Sequence, residues 1–171
     1  MVRKVVGRRI FLSPPTTTAC DVRCWKVPLS TEEILSEKDL AKLCATIEPE
    51  MAEPVYVYCS FPDFRLPEWI SALCTFREIE GLTAVVNLED AERGALPYTF
   101  KARLITLQVH SSLDAVGFLA VVSEHLAKAK IPCNAIAGYY HDHILVPVDR
   151  ADEAIAVLIG IRHASVSSLL E

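Results

Sequence analysis

The residues from Ser111 to Phe118 have the types and spacing of a binding site for a carboxylate. Ser111 and Asp114 stand three apart before an apolar periodic stretch, which predicts a capped helix start. The first N–H groups of a helix have no partner within it and carry a partial positive charge, so they can bind an anion. Gly117 has no side chain to keep a ligand from the backbone, and Asp114 can bind an ammonium group.

A second segment, Cys133 to Ala135, is predicted to begin the strand beside this turn, where Asn134 can donate and accept hydrogen bonds. A purely structural alternative stays open, in which these residues only cap the helix, allow close packing and satisfy a loop. The candidate ligand-binding residues are Ser111, Ser112, Leu113, Asp114, Val116, Gly117, Phe118, Cys133, Asn134 and Ala135.

Glu78 and Glu80 are candidates for a second set of ligand contacts. They stand two apart at a predicted strand end, so they can share a face as an acid pair or as contacts for a cationic ligand. No base or nucleophile accompanies them, and solvated turn acids are the alternative.

His141 and His143 flank Asp142 at a predicted turn, a pattern that suggests a metal site. Structural zinc takes four protein ligands and catalytic zinc usually three, and the other histidines show no ligand spacing with these two. We therefore expect a hydrogen-bonded turn here, with neither a metal nor another cofactor. The sequence also has no glycine-rich phosphate loop and no G-x-S-x-G motif, so we do not expect an enzyme.

The elements that must position these residues follow from periodicity in the second half of the chain. Residues 103 to 109 alternate as a strand, and a helix follows with an apolar stripe of Ala115, Leu119, Val122, Leu126 and Ala129. Cys133 to Tyr140 and Ile144 to Val148 predict an antiparallel pair, and a last helix begins near Asp149. The order βαββα predicts a ferredoxin-like α+β unit over residues 101–163, with a serine-rich tail at 164–171.

Residues 31–100 predict a less regular unit. A helix is expected to end near Ile47, and Pro49 and Pro54 to bound a loop. Residues 55–61 predict a strand, residues 73–79 and 82–87 a hairpin around Gly81, and residues 90–96 a short helix.

Composition limits the class of protein and its partners. The 171 residues are 51% hydrophobic and 23% charged with a net charge of -5, which predicts a folded protein and disfavours nonspecific nucleic-acid binding. Charged and polar residues interrupt every apolar run, so we expect a soluble protein without a membrane span. The six cysteines lack paired zinc spacing and are expected to be reduced.

Residues 1–30 form a basic N-terminal extension with no acid before Asp21. Such a bias fits a disordered extension, a short extra strand around Val5 to Leu12, or a mitochondrial or plastid targeting segment. A cytoplasmic location is the leading expectation.

Two stretches resemble the signature of the ACT domain: Ser111-Ser112-Leu113-Asp114-Ala115-Val116-Gly117-Phe118-Leu119-Ala120 and Ile131-Pro132-Cys133-Asn134-Ala135-Ile136. Three further segments, at residues 76–83, 109–113 and 138–143, resemble small proteins with two ACT-like units and no settled biochemical role. The resemblance covers residues 38 to 160.

The resemblance implies two ferredoxin-like ACT-like units packed side by side, the first degenerate and without an obvious opening strand. It implies a regulatory protein that binds an amino acid or similar metabolite at the interface of the units and controls a separate enzyme. The alternative is an interaction module that forms a homodimer through its sheet edge without a ligand.

Overall fold

Six antiparallel strands form one sheet in the part of the chain that the structure describes. The computed structural model describes the backbone of residues 37–169 and the side chains of residues 37–167, so the predicted extension at residues 1–30 lies outside it. The strands are β1 Pro49–Phe61, β2 Cys74–Arg77, β3 Leu82–Asn87, β4 Thr99–Leu107, β5 Asn134–Ala137 and β6 Asp142–Pro147. The α-helices are α1 Leu40–Ala45, α2 Leu88–Arg93, α3 Phe118–Lys128 and α4 Ala151–Leu169.

The strand order is β2-β3-β1-β4-β6-β5, which contains two overlapping ferredoxin-like sheets. The first unit uses β2, β3 and β1 and takes β4 as its fourth strand. The second uses β5, β6 and β4 and takes β1 as its fourth strand. This confirms the predicted α+β fold of two ferredoxin-like units side by side, and it places both units in one continuous sheet with a shared central pair.

The first unit is degenerate in a different way from the one expected. Its opening strand is present as β1, whereas residues 62–73, where the second unit has α3, contain no helix. Ile70 from this irregular stretch is 6% exposed and packs with Val57 and Ala84. An irregular stretch with Ile70 as its buried residue, and with Leu66 and Ala72 packed beside the same cluster, therefore covers the sheet where the second unit uses an eleven-residue helix.

The prediction of a loop between Pro49 and Pro54 is wrong, because strand β1 includes both prolines. Pro49 is the first residue of the strand, where its missing N–H matters least. The ladder with β4 shifts register between Met51 and Val55, so Pro54 lies in a bulge. The Arg103 guanidinium donates to the bulged Ala52 carbonyl over 3.0 and 2.7 Å, which satisfies that oxygen without a ladder partner.

The helices of the second unit and α1 share one core on one face of the sheet. Ile105 and Ile144 from β4 and β6 pack there against Leu43, Leu126 and Leu158 from the three helices. On the opposite face, a smaller cluster contains Val85, Ala102, Leu104 and Leu145. The predicted stripe of α3 is confirmed at Val122 and Leu126, both fully buried.

The predicted end of one helix and the predicted start of another are wrong. The segment assigned to a serine-rich tail continues α4 to Leu169, since Ile161 extends the buried stripe and is 2% exposed. The helix start predicted from Ser111 and Asp114 lies later, at Phe118. Over the residues described, the structure contains no helix long and apolar enough to cross a membrane.

Candidate ligand-binding site

The first amides of α3 have no side-chain cap, because the helix begins after Gly117. This residue is the N-cap, with φ of 95° in the left-handed region and no side chain that caps the helix. The first helical bond runs from Val121 N to Gly117 O over 3.0 Å. The amides of Phe118, Leu119 and Ala120 therefore precede the first intrahelical donor and present the positive end of the helix dipole.

A chain of tight turns carries the backbone from β4 to Gly117. Val109 N donates to Leu107 O over 2.7 Å, and Ser111 N donates to Val109 O over 3.0 Å. Ala115 N then closes a turn on Ser112 O at 2.8 Å. We call residues His110 to Gly117 the site loop. Its turns bring Ser111 to the end of the sheet instead of letting the strand continue.

Ser111 faces a buried carboxylate at the start of β6. The Ser111 hydroxyl donates to Asp142 Oδ2 over 2.8 Å, and the two residues are only 8% and 6% exposed. Asp142 lies opposite Leu107 and Ala137 in the ladders, which fixes its backbone at this end of the sheet. A buried carboxylate requires compensation, which the Ser111 hydroxyl provides in part, and its two oxygens can accept further hydrogen bonds from a ligand.

A cavity of about 160 Å³ joins these features. Its negative side is Asp142, and its positive side is the uncapped start of α3. Such an arrangement complements a small molecule that carries both an ammonium and a carboxylate group. The lining residues are Ser111, Ser112, Leu113, Ala115, Gly117, Phe118, Leu119, Ala120, Ala137 and Asp142.

Half of the sequence-predicted ligand residues line this cavity: Ser111, Ser112, Leu113, Gly117 and Phe118. Asp114, predicted to bind an ammonium group, instead has an exposed carboxylate 3.3 Å from Lys38 Nζ and lies outside the lining. Val116 is 84% exposed.

Cys133, Asn134 and Ala135 lie at the wrong end of β5 for the cavity. Asn134 pairs with Leu145, whereas Ala137 at the other end pairs with Asp142. Three residues of extended strand separate these ends by roughly 10 Å. The cavity is therefore lined by the end of β5, and the predicted role of its beginning is not supported by this geometry.

Five lining residues were missed by sequence reasoning: Ala115, Leu119, Ala120, Ala137 and Asp142. A signal for Asp142 exists in the period-two pattern, because Asp142, Ile144 and Val146 share one face of β6. Ile144 and Val146 are fully buried, so a carboxylate in the same row stands out as a core-facing charge.

Glu78 and Glu80 lie in the other half of the sheet, in the turn between β2 and β3. Glu78 N donates to Gly81 O over 2.8 Å, and the Thr83 hydroxyl donates to the Glu78 carboxylate. Glu80 is exposed. Neither lines the cavity at Asp142.

The histidines near the cavity are engaged in hydrogen bonds and ring contacts. His141 Nδ1 donates to Val109 O over 3.1 Å, and His143 Nδ1 lies 3.0 Å from Thr106 Oγ1. Burial lowers the pKa of His143, the nearby His141 lowers it further, and Asp142 acts in the opposite direction. Within residues 37–167, no group of three or more His, Cys, Asp or Glu side chains has the geometry to hold a metal ion.

Comparison with known proteins identifies the family. Two models of the ACT domain match the chain in tandem, over residues 36–103 and 99–159. The chain belongs to the ACT-domain family. The two matches overlap at the start of β4, one of the two strands that the units share. Membership in the family points to a regulatory, small-molecule-binding role.

Solved structures support the same fold. A Vibrio cholerae protein of unknown function, described as a possible transport protein, is 38% identical with a TM-score of 0.66, over 73% of this chain and 97% of that chain. An Agrobacterium tumefaciens protein is 15% identical with a TM-score of 0.58, over 68% and 89% of the two chains.

The ligand-free regulatory subunit of aspartate kinase from Thermus thermophilus is 7% identical with a TM-score of 0.53, over 69% and 97%. At such identities the last two likenesses show the fold alone. No curated protein matches the sequence.

Proposed function

We propose that this ACT-domain protein is a regulatory sensor that binds a small amino acid, or a similar zwitterionic metabolite, in the cavity between α3 and Asp142. The observation that carries the proposal is a buried carboxylate, 6% exposed, that shares a small cavity with an uncapped helix start. Both charges of an α-amino acid would meet a complementary group there.

The ligand carboxylate would accept hydrogen bonds from the amides of Phe118, Leu119 and Ala120. Such contacts need no basic side chain, because the helix dipole already favours an anion. The ligand ammonium would donate to Asp142 beside the Ser111 hydroxyl. A charge-assisted bond of this kind is about twice as strong as a neutral one.

The size of the cavity sets the size of the ligand. Drug-sized ligands occupy pockets of about 300–1,000 Å³. The cavity here is about 160 Å³, so it suits a short amino acid better than a nucleotide or a coenzyme. We propose that ligand binding changes the activity of a separate enzyme, as in regulatory proteins that carry ACT domains.

A thermal-shift screen against the twenty protein amino acids tests the proposal. A ligand that binds only the folded state stabilises it by about 2.7 kcal/mol at a concentration of one hundred times Kd. We expect at least one small amino acid to raise Tm and the Asp142→Asn variant to lose that rise.

The matched control is Asp114→Asn, which removes a carboxylate of the site loop that does not line the cavity. It should keep the rise in Tm. Loss of the effect in Asp114→Asn with retention in Asp142→Asn would move the ammonium site to Asp114. A flat screen on folded wild-type protein would contradict the sensor proposal.

A ligand-free homodimer is the second candidate, and exposed apolar side chains favour it. Leu113 and Val116 in the site loop are 67% and 84% exposed, and Tyr139 and Tyr140 in the turn before β6 are 77% and 43% exposed. Contiguous exposed apolar groups, such as the Tyr139 and Tyr140 rings with centroids 4.8 Å apart, often mark protein contacts. Sedimentation equilibrium measures the mass of the protein in solution. A dimer whose mass and stability do not change when amino acids are added supports this candidate.

A further inference from the structure

The segment just before α1 is paired with the site loop, more than seventy residues away in the chain. Glu37 N donates to His110 O over 2.9 Å, and Ser112 N donates to Glu37 O over 3.0 Å. Together these bonds form an isolated parallel bridge between Glu37 and Ser111. Ser111 is the residue whose hydroxyl donates to Asp142.

This bridge is anchored to α1 by two carboxylates. Glu37 Oε1 accepts from the amides of Lys38 and Asp39, each over 2.8 Å. The Asp39 carboxylate then accepts from the amides of Ala41 and Lys42 over 2.9 and 3.2 Å, which caps α1. The backbone of Glu37 is thus tied to a helix whose Leu43 is in the core, 1% exposed.

Leu40 supports the other end of the site loop. A Cβ placed on Gly117 would lie 3.3 Å from Leu40 Cδ2, so the Leu40 side chain packs directly against the left-handed turn that opens α3. Leu40 also packs against the main core. One short segment therefore contacts both ends of the loop that forms the cavity wall.

We propose that Glu37, through its backbone, and Leu40, through its side chain, are positioning residues of the ligand site. They act through Ser111, Ser112 and Gly117 and keep the site loop in the shape that exposes the α3 amides. This inference rests on the proposed function for its consequence in binding. The positioning of the loop is measurable without a ligand.

Amide hydrogen exchange on the full-length, ligand-free protein tests the bridge. Glu37→Pro removes the N–H that donates to His110, whereas Glu37→Gln keeps that N–H and an acceptor oxygen. We expect exchange at Ser112 to become about tenfold faster in Glu37→Pro, from the loss of one hydrogen bond, and to stay unchanged in Glu37→Gln.

Exchange at Ile144 in the central sheet should remain as in the wild type in both variants. Wild-type protection of Ser112 in a folded Glu37→Pro protein would overturn the role of the bridge.

Leu40→Ala provides a second test that does not depend on proline being tolerated. The probe is whichever of the twenty amino acids stabilises the wild-type protein most. We expect Leu40→Ala to weaken its binding about tenfold and Leu40→Met, of similar volume, to restore it. Leu43→Val, which trims a core residue on the same helix, should lower Tm without changing affinity.

Equal losses of affinity in Leu40→Ala and Leu43→Val would show a merely structural role and overturn the proposal. The failure of every amino acid to bind the wild type would instead count against the proposed function. In that case faster exchange at Phe118 and Ser112 in Leu40→Ala supports the positioning role, and unchanged exchange overturns it.

Discussion

The two halves of the sheet are built alike, yet they differ at one end of the sheet, where the second half has the cavity beside the buried Asp142. β1, β2 and β3 of the first half correspond in order and pairing to β4, β5 and β6 of the second. The connecting turns also match: Glu78 N donates to Gly81 O over 2.8 Å, and Gly138 N donates to His141 O over 3.0 Å.

The halves differ at the first residue of β3 and of β6, which the ladders place equivalently. Leu82 begins β3 opposite Phe61, whereas Asp142 begins β6 opposite Leu107. Leu82 packs against the apolar core of the first half. In the second half the same place holds a carboxylate, a serine donor and an open helix start. The shared fold therefore provides the same position in both halves, and the three local features distinguish the second half at that position.

Separating the halves should have the largest effect. A fragment of residues 97–171 keeps β4, β5 and β6 but loses β1, which pairs along β4, and α1, whose Leu43 and Cys44 belong to the core. We expect this fragment to be unfolded by circular dichroism and by NMR dispersion. A dispersed, native-like spectrum would show that the second unit is independent.

Exchanging the residues that distinguish the halves should have the next largest effect. Asp142→Leu copies Leu82 into the second half, so we expect a folded protein whose amino-acid affinity falls at least about 100-fold, or 2.7 kcal/mol. The reverse change, Leu82→Asp, places a charge in a partly buried apolar contact and should lower the free energy of unfolding by about 2 kcal/mol.

Calorimetry and urea unfolding measure both effects of this exchange. Amino-acid binding by Asp142→Leu would show that the carboxylate does not distinguish the halves.

Glycine substitutions compare the two halves at their turns. A Cβ on Gly81 would lie 2.7 Å from Phe61 O, a backbone atom that cannot move aside, so Gly81→Ala should cost about 2 kcal/mol. At Gly117 the neighbour is the flexible end of Leu40, and the left-handed φ costs alanine about 1 kcal/mol.

Urea unfolding should rank the glycine variants in this order. Gly117→Asn, which tolerates the left-handed region, should be nearer to wild type than Gly117→Ala. The opposite ranking of Gly81→Ala and Gly117→Ala would contradict the packing described at the two turns.

The smallest expected effect is a pH dependence in the second half alone. Burial lowers the folded-state pKa of His143 below its usual 6.5, so the unfolded chain binds more protons as pH falls. The contribution of His143 to the free energy of unfolding is complete above pH 6.5 and decreases below it. The decrease is smaller than about 1.4 kcal/mol per pH unit, because the ring is only partly buried.

The equivalent residue in the first half is Thr83. His143→Thr should therefore reduce the change in unfolding free energy between pH 7.5 and 5.5, while His163→Gln, at an exposed site on α4, should not. An unchanged pH dependence in His143→Thr would exclude His143 as its source.

Sequence patterns predicted the elements whose side chains alternate or repeat. The strand predicted at residues 103–109 corresponds to β4, Thr99–Leu107 in the structure. That strand and the stripe through Val122 and Leu126 are predictable because burial leaves a period in the sequence. The prediction of a loop at Pro54 is wrong because the bulge that accommodates this proline depends on pairing with β4. That contact is about fifty residues away in the chain, and no local pattern shows it.

The candidate site was predicted in part for the same reason. Ser111 and Gly117 belong to one local turn, so their proximity was readable from the sequence. Asp142 and Ala137 reach the cavity only through the register of β4, β6 and β5, which local propensity does not specify. The prediction names the beginning of β5, because the sequence does not give the register that places Ala137 at its other end beside Asp142.

An NMR titration of the full-length, ¹⁵N-labelled protein with the amino acid that raises its Tm tests the central claim most directly. We predict that the largest amide shifts fall at Phe118, Leu119 and Ala120, with further shifts at Ser111 and Asp142. The turn from Glu78 to Leu82 should stay unperturbed. Largest shifts at that turn, or shifts spread evenly over both halves, would contradict a single charged site in the second half.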